Sequence, residues 1–287
     1  MSEFDFQRAL VRVLTDAALR ESIYAGDYQP LVELGIPLTQ AQRLTLIDRE
    51  RMEMFADTIV ENRVYYATEL LPFTTQFLGE QLEPMILECD REMPADYSKI
   101  QDQALAFARF LKKRFGLQPP TPPFLEDVLT YEINSLELFA GYDRQEFEVS
   151  QQDQILLQQL LAHDELARII PVPRPNNRII KLNYDVPSIL EEIVNGHIPE
   201  TADKQDLHLL LRMIPPGTLE QDKINVPTST LINACDGEAN LSEIIEQLAS
   251  HFKMAAPMRF PDFKRKCLEL CQSLVERHVI ILMPLQT

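Results

Sequence analysis

Apolar residues in the first half of the chain recur at spacings of three and four, as on the buried face of an α-helix. This pattern predicts helices over residues 3–25, from Thr39 to Ile59, over residues 100–115 and over residues 124–142. Pro72 is expected to separate two further helices, because proline interrupts the helical hydrogen-bond ladder. The N-terminal half is therefore predicted to be a helical domain.

A long helix is predicted to begin at Thr39, which is a good N-cap residue with Gln42 as its capping-box partner. The apolar stripe of this helix is predicted to comprise Leu44, Ile47, Phe55 and Ile59. Arg51 falls on the same stripe. Either Arg51 lies along the edge of the core with its guanidinium in water, or it anchors an acidic partner.

The pattern changes after about residue 145. Residues 146–168 are rich in glutamine and are predicted to form a helix that links two domains. β-type segments begin near Ile169, where alternating polarity predicts a strand over residues 178–184. A second strand is predicted over residues 207–214, and residues 223–226 form either a third strand or the approach to the next helix.

The last third of the chain is predicted to contain three helices followed by a strand. Gly237 can adopt a positive φ and end the first helix, and Asn240 with Glu243 makes a capping-box pattern for the second. The third helix is predicted over residues 261–278, with an apolar stripe of Phe263, Cys267, Leu270, Cys271 and Leu274. A small sheet followed by these elements outlines a winged-helix domain.

The predicted fold class is therefore mainly α with a small β component. A helical domain is expected over residues 1–145, a linker helix over residues 146–168 and an α+β winged-helix domain over residues 169–287. The chain has 287 residues, which is enough for two domains of ordinary size.

The charge of the chain narrows the classes of partner. The net charge is −17 at pH 7, so non-specific nucleic-acid binding is disfavoured. No apolar stretch approaches the roughly 18 residues that span a bilayer, and the N-terminus lacks a secretory pattern. We therefore expect a cytoplasmic location with no membrane partner. A local basic cluster near the C-terminus is expected to face an acidic peptide or a phosphate: Arg259, Lys264, Arg265, Lys266 and Arg277.

Catalytic motifs are absent from the sequence. The five histidines are scattered, and no glycine-rich phosphate loop or nucleophile elbow occurs. Cys267 and Cys271 lie one helical turn apart and would be either buried small hydrophobes or a redox or metal pair. The sequence predicts that the chain is not an enzyme by itself and holds no cofactor.

One resemblance lies in the last third. Residues 235–238, with the sequence CDGE, precede an LxEIxxxLA helix and resemble the PqqD-like domain, which binds leader peptides of ribosomally made, modified peptides. The resemblance implies that a peptide adds as a strand to a sheet edge, here within residues 179–184 or 207–213, and lies against helix 261–278. The implied peptide-binding residues are Ile179, Ile180, Leu182, Lys264, Arg265 and Leu268.

A second resemblance covers roughly residues 3–140. The runs LPFT (71–74) with FLG (77–79), FARFL (107–111) and PFLED (123–127) with YE (131–132) resemble the N-terminal domain of partner proteins of multinuclear non-haem iron oxidative enzymes. Phe124 stands where the family usually has tryptophan. The resemblance implies a surface that docks the enzyme, and the candidate docking residues are Arg51, Phe73 and Phe77.

Together the two resemblances imply a non-catalytic subunit that presents a precursor or carrier peptide to a multinuclear iron oxidase. The chain resembles the partner subunits of the thiaglutamate pathway, and the iron is expected in the partner enzyme. Two alternatives stay open. One is a winged-helix transcription regulator with a helical sensor domain; the other is a small oxidoreductase that uses Cys267 and Cys271 and needs a lowered thiol pKa.

Overall fold

The computed structural model describes residues 3–92, 99–142, 151–254 and 259–285. The chain is mainly helical with small antiparallel sheets, as the sequence predicted. It divides into two compact units: unit 1 comprises Met1–Leu136 and Leu190–Thr201, and unit 2 comprises Glu137–Ile189 and Ala202–Thr287. No helix in the described ranges combines the length and the apolar character needed to cross a bilayer.

The helices of the N-terminal part are α1 (Glu3–Thr15), α2 (Ala17–Tyr24), α3 (Gln29–Glu33), α4 (Leu38–Leu44), α5 (Arg49–Leu70), α6 (Pro72–Leu78), a 3-10 turn (Gly79–Gln81), α7 (Leu82–Glu92), α8 (Ile100–Leu117) and α9 (Leu125–Gly141). The predicted separation at Pro72 is confirmed, and α8 and α9 match the predicted helices closely. The last residues of α9, from Glu137, belong to unit 2.

Two helices that the sequence predicted as continuous are each divided. Asp16 has extended backbone angles, and its carboxylate accepts hydrogen bonds from the backbone N–H groups of Ala18 and Leu19, so α2 begins there anew. The helix predicted from Thr39 ends at Leu44, and Asp48 caps α5 by accepting from the backbone N–H of Arg51. Aspartate competes for backbone hydrogen bonds and favours helix starts over helix interiors.

The division before α5 changes which of its faces is buried. Met52 and Ala56 are fully buried, whereas Phe55 is 53% exposed. The predicted apolar stripe through Arg51 and Phe55 is therefore wrong, because it assumed one continuous helix and the new start at Asp48 does not continue the helical phase. The buried face packs into a core that also contains Ala9, Val13, Leu14, Ile23, Leu31, Ile36, Ala41 and Leu44.

A buried carboxylate joins two of the motifs in unit 1. Glu132 of α9 is only 4% exposed and accepts hydrogen bonds from the backbone N–H groups of Phe73 (2.8 Å) and Thr74 (3.0 Å) in the first turn of α6. These donors have no partner within their own helix, so Glu132 caps α6 from a distant part of the chain. Burial raises the pKa of Glu132 to about 7, and the two backbone hydrogen bonds act in the opposite direction.

Unit 2 is built from α10 (Gln151–Ala162), a 3-10 turn (Leu166–Arg168), β1 (Ile169–Pro173), β2 (Asn177–Tyr184), α11 (Val186–Val194, which enters unit 1 at Leu190), β3 (Lys204–Ile214), β4 (Thr218–Ile224), α12 (Val226–Ala234), α13 (Leu241–His251), α14 (Phe260–Glu276) and β5 (Ile280–Pro284). The predicted strands over residues 178–184 and 207–214 are confirmed. The third strand begins five residues earlier than the segment 223–226.

The strands of unit 2 form two antiparallel sheets. One has the order β2–β3–β4, with Ile180 opposite Leu209 and Leu211 opposite Gln221. The other pairs β1 with β5, with Pro171 opposite Leu282. Strand β5, which follows α14, therefore pairs with β1, which precedes the three-stranded sheet in the chain.

The core of unit 2 lies among the three C-terminal helices, the end of α10 and the paired strands β1 and β5. Leu157 and Leu160 of α10 belong to it, so this part of the predicted linker contributes to the core; residues 146–150 lie outside the described residues. Further members include Ile169, Leu210, Leu231, Ile232, Leu241, Ile244, Ile245, Leu248, Cys271, Leu274 and Val279.

Local signals at the start of α13 are confirmed. Asn240 accepts from the backbone N–H of Glu243, and the Glu243 carboxylate accepts from the N–H of Asn240, which completes the capping box. Gly237 has a φ of +83°, and its N–H donates to the carbonyl of Pro171 in β1. The positive φ suits glycine because it lacks a Cβ atom. The order of three antiparallel strands followed by three helices is observed; the winged-helix assignment stays a prediction.

The cap that Glu132 makes on α6 gives a stability prediction. We expect Glu132→Ala to lower the free energy of unfolding by about 2 kcal/mol, because two buried backbone N–H groups lose their acceptor. Urea unfolding followed by circular dichroism measures the change. Glu126→Ala is the matched control, since Glu126 is exposed in the first turn of the same helix and should cost less than about 1 kcal/mol. Equal losses in the two variants would contradict the capping role.

The raised pKa of Glu132 gives a pH prediction. The pKa of Glu132 is about 7 in the folded protein, whereas its ordinary value is 4.5. The stabilisation that comes from this difference is fully present below about pH 4.5 and is lost as the pH rises through about 7. The free energy of unfolding of the wild type, relative to Glu132→Gln, should therefore fall as pH rises through this window. Urea titrations from about pH 5.5 to about pH 8 test this. A difference that stays constant with pH would show that Glu132 does not titrate there.

Candidate functional site

The sheet β2–β3–β4 has two outer strands, and only one of them is a strand that the sequence predicted as a peptide-binding edge. Strand β3 pairs with β2 on one side and with β4 on the other. The predicted peptide-binding edge over residues 207–213 is therefore wrong, because its backbone groups already have partners in both neighbours. The outer strands are β2, which was the other predicted edge, and β4, which the sequence analysis did not propose as an edge.

The two outer strands differ in how much of their side-chain surface is accessible. On β2, Ile180 and Leu182 are buried and Ile179 is half-buried against the core of unit 2. These three side chains therefore pack in the interior of the protein. Residues of β4 alternate between half-buried and exposed, with Gln221 and Lys223 exposed. The segment IPPGT before β4 is a turn signal that could have located this hairpin in the sequence.

The predicted basic face of α14 is largely paired with carboxylates. Lys264 forms an ion pair with Asp164 at 2.6 Å, and Arg265 forms ion pairs with Asp262 and Glu269 at 2.6 Å each. Leu268 is half-buried and packs against the core. The ion pairs of Arg265 are solvent-exposed and contribute little to stability.

A buried arginine connects the sheet to the end of α14. Arg212 of β3 is 9% exposed, and its guanidinium donates to Asp222 (3.1 Å), Glu220 (2.7 Å) and the backbone carbonyl of Arg277 (2.8 Å). Arg277 also pairs with Asp222 at 2.5 Å. The planar guanidinium suits this arrangement, because it presents donors in several fixed directions. The network holds β3, β4 and the C-terminal end of α14 together.

The cysteines of unit 2 are buried in its core. Burial raises the pKa of Cys267 to about 11, and burial with the neighbouring Asp236 charge raises the pKa of Cys235 to about 12. Burial and the neighbouring thiols raise the pKa of Cys271 further. A redox role requires a lowered thiol pKa, so this geometry argues against the oxidoreductase hypothesis and favours cysteine as a small hydrophobe.

The candidate docking residues of unit 1 differ in how exposed their side chains are. Arg51 is exposed on α5 beside Met54 and Phe55, which are also exposed, and these three residues are termed the α5 patch. Phe73 and Phe77 are half-buried, and Phe77 makes an edge-to-face contact with the buried Phe124 at a centroid distance of 5.4 Å. The packing of Phe77 thus explains its position without a partner protein, whereas the α5 patch has no such explanation.

Within the described ranges, no group of three or more histidine, cysteine, aspartate or glutamate side chains is arranged to hold a metal ion. No protein-family model matches the sequence, and a search of curated proteins finds no similar sequence. The two family resemblances therefore depend on the quoted motifs and on the geometry described above.

The raised thiol pKa values give a reactivity prediction. In the native protein at neutral pH, Cys235, Cys267 and Cys271 should react with iodoacetamide far more slowly than in urea, because the thiolate is the reactive form and each thiol is buried. Mass spectrometry of proteolytic peptides after timed quenching measures each site. Rapid native labelling of either cysteine of α14 would restore the redox hypothesis.

Proposed function

We propose that this chain is a non-catalytic recognition subunit that binds a ribosomally made precursor peptide and presents it to a multinuclear non-haem iron oxidase. The iron belongs to the partner enzyme in this proposal. The modification is made on the peptide, and this chain supplies the surfaces that hold the two components.

The observation that carries the proposal is the outer strand β4. It is one of the two outer strands of a three-stranded antiparallel sheet that is followed by three helices, the element order that the PqqD-like resemblance requires. An extended peptide can add to such an edge through backbone hydrogen bonds, while neighbouring side chains select its sequence. We therefore assign the peptide to β4 in preference to β2, because the inward side chains of β2 are occupied in the core.

The link between α6 and Glu132 supports the resemblance of unit 1. Phe73 and Thr74 of the LPFT run lie 59 and 58 positions from Glu132 of the YE run, and two hydrogen bonds of Glu132 join the two runs. Motifs that are separate in sequence thus form one structural device. The α5 patch supplies an exposed apolar and basic surface, which is the composition of a protein-binding site with an arginine anchor.

The transcription-regulator alternative receives less support. A helix that reads a DNA groove needs basic side chains available to phosphates and bases. On α14, Lys264, Arg265 and Lys266 are each paired with a carboxylate, and the whole chain carries a net charge of −17. Both features oppose the approach of a polyanion.

The proposal is tested by co-expressing the tagged chain with a candidate iron oxidase and the short peptide encoded beside it. We expect a stable complex that retains the peptide only when this chain is present. Hydrogen–deuterium exchange should then show that the peptide protects residues 218–224 of β4 and leaves residues 177–184 of β2 unchanged. Protection of β2 alone would move the site to the other edge.

The role of the α5 patch has a matched control. Phe55→Asp should weaken the complex with the oxidase while the isolated variant keeps its peptide binding. Leu117→Asp places the same charge on another exposed apolar residue of unit 1 and should leave the complex intact. A chain that purifies alone, ignores the peptide and binds duplex DNA with a steep salt dependence would favour the regulator hypothesis.

A further inference from the structure

Unit 2 contains a cleft of about 630 Å³ at the end of its sheet. Its walls come from the turn between β1 and β2, the last residues of β3, the start of β4, the end of α14 and the residue that follows α9. The lining side chains that matter for its chemistry are Tyr142, Arg174, Asn176, Arg212, Glu220 and Arg277.

Two of the three arginines in the cleft are already compensated. Arg212 has Glu220 and Asp222 as partners, and Arg277 pairs with Asp222. These groups form a fixed wall, because each charged donor has an acceptor within hydrogen-bond distance. Their charges balance one another, and the lining also includes the exposed carboxylate of Glu276.

The backbone carbonyls of the three residues that follow α14 are also satisfied. The carbonyl of Arg277 accepts from Arg212, and the carbonyls of His278 and Val279 accept from the side-chain amide of Asn177 at 3.0 Å each. Because donors cover these carbonyls, they do not supply acceptors for the remaining groups of the cleft.

Arg174 is the exception among the cations of the cleft. Its Nε atom is buried and has no hydrogen-bond partner, and its guanidinium forms no ion pair with any residue that the structure describes. A buried charged donor without an acceptor is unfavourable, so such groups in native proteins usually meet a protein acceptor, water or a ligand. The guanidinium has the planar donor geometry that binds two oxygens of one anion.

Neighbouring groups extend the donor set. The side-chain amide of Asn176 and the hydroxyl of Tyr142 have no hydrogen-bond partners in the described part of the chain, and both line the cleft. The Tyr142 ring lies beside the turn at Gly217, where a Cβ atom would be 3.9 Å from Cε1. A positive guanidinium with two further donors favours a small oxyanion as the occupant.

We propose that this cleft binds an oxyanion, a carboxylate or a phosphate group, through the guanidinium of Arg174. Asn176 and Tyr142 donate to the remaining oxygens, and the Arg212 network holds the opposite wall. The proposal does not depend on the peptide role, because Arg174 belongs to the turn between β1 and β2 and not to the edge of β4.

The test uses full-length protein labelled with 15N-arginine and three probes at matched ionic strength: sodium phosphate, sodium acetate and sodium chloride. The Nε–H signal of Arg174, assigned by its loss in Arg174→Lys, should shift with saturation in the millimolar range, at about 1–10 mM. A shift with phosphate, with acetate or with both supports the proposal and distinguishes the two chemistries. No saturable shift, or an equal response to chloride, would overturn it.

Two variants make the result specific. Arg174→Gln should weaken anion binding by about tenfold or more, which the side-chain amide signal of Asn176 reports in uniformly 15N-labelled protein. Arg265→Gln removes an exposed arginine that is paired on α14 and should leave binding unchanged. Equal weakening by both variants would show general electrostatic attraction and reject a built site. Thermal melting verifies that each variant is folded. If Arg174→Gln is not folded, the wild-type titration decides whether the cleft binds an anion.

Discussion

The arrangement of unit 2 depends on the guanidinium of Arg212. It is a largely buried charged group in the wall of the cleft, and its burial is tolerable because two carboxylates and the backbone carbonyl of Arg277 accept its hydrogen bonds. The same contacts fix β4 beside β3 and hold the end of the third helix against the sheet. A lysine at this position would offer one charged nitrogen and could not reach all three acceptors in the same geometry.

Unit 1 uses the opposite charge for a similar purpose. The carboxylate of Glu132 satisfies the first N–H groups of α6, which begins directly after Pro72 and has no capping side chain of its own. Leu71 is fully buried just before this start, so water is not freely available to these donors. In both units, one buried ionisable side chain forms hydrogen bonds with backbone groups that have no partner nearby in the sequence. Removing that side chain would leave those backbone groups without a partner.

The proposed functions depend on the surfaces that stay accessible once these buried groups have found their partners. The sheet of unit 2 leaves β4 as the more accessible edge, the α5 patch leaves apolar and basic surface exposed on unit 1, and the cleft near Arg174 leaves donors without acceptors. These are three different kinds of binding chemistry: backbone pairing, side-chain packing and anion coordination. The proposed recognition subunit would need surfaces of this type.

The sequence alone determined the features that depend on near neighbours in the chain. It predicted α8 and α9, the capping box of Asn240 and Glu243, the positive φ of Gly237 and the alternation of β2, because each follows from propensity or spacing within a few residues. It did not determine the break at Asp48, since the capping strength of that residue competes with an apolar pattern that continues across it. Only the tertiary structure decided that β3 is the central strand, that Glu132 caps α6 and that Arg212 is buried among acceptors. Such contacts join residues that lie far apart in the chain, and no local pattern encodes which distant donor meets which acceptor.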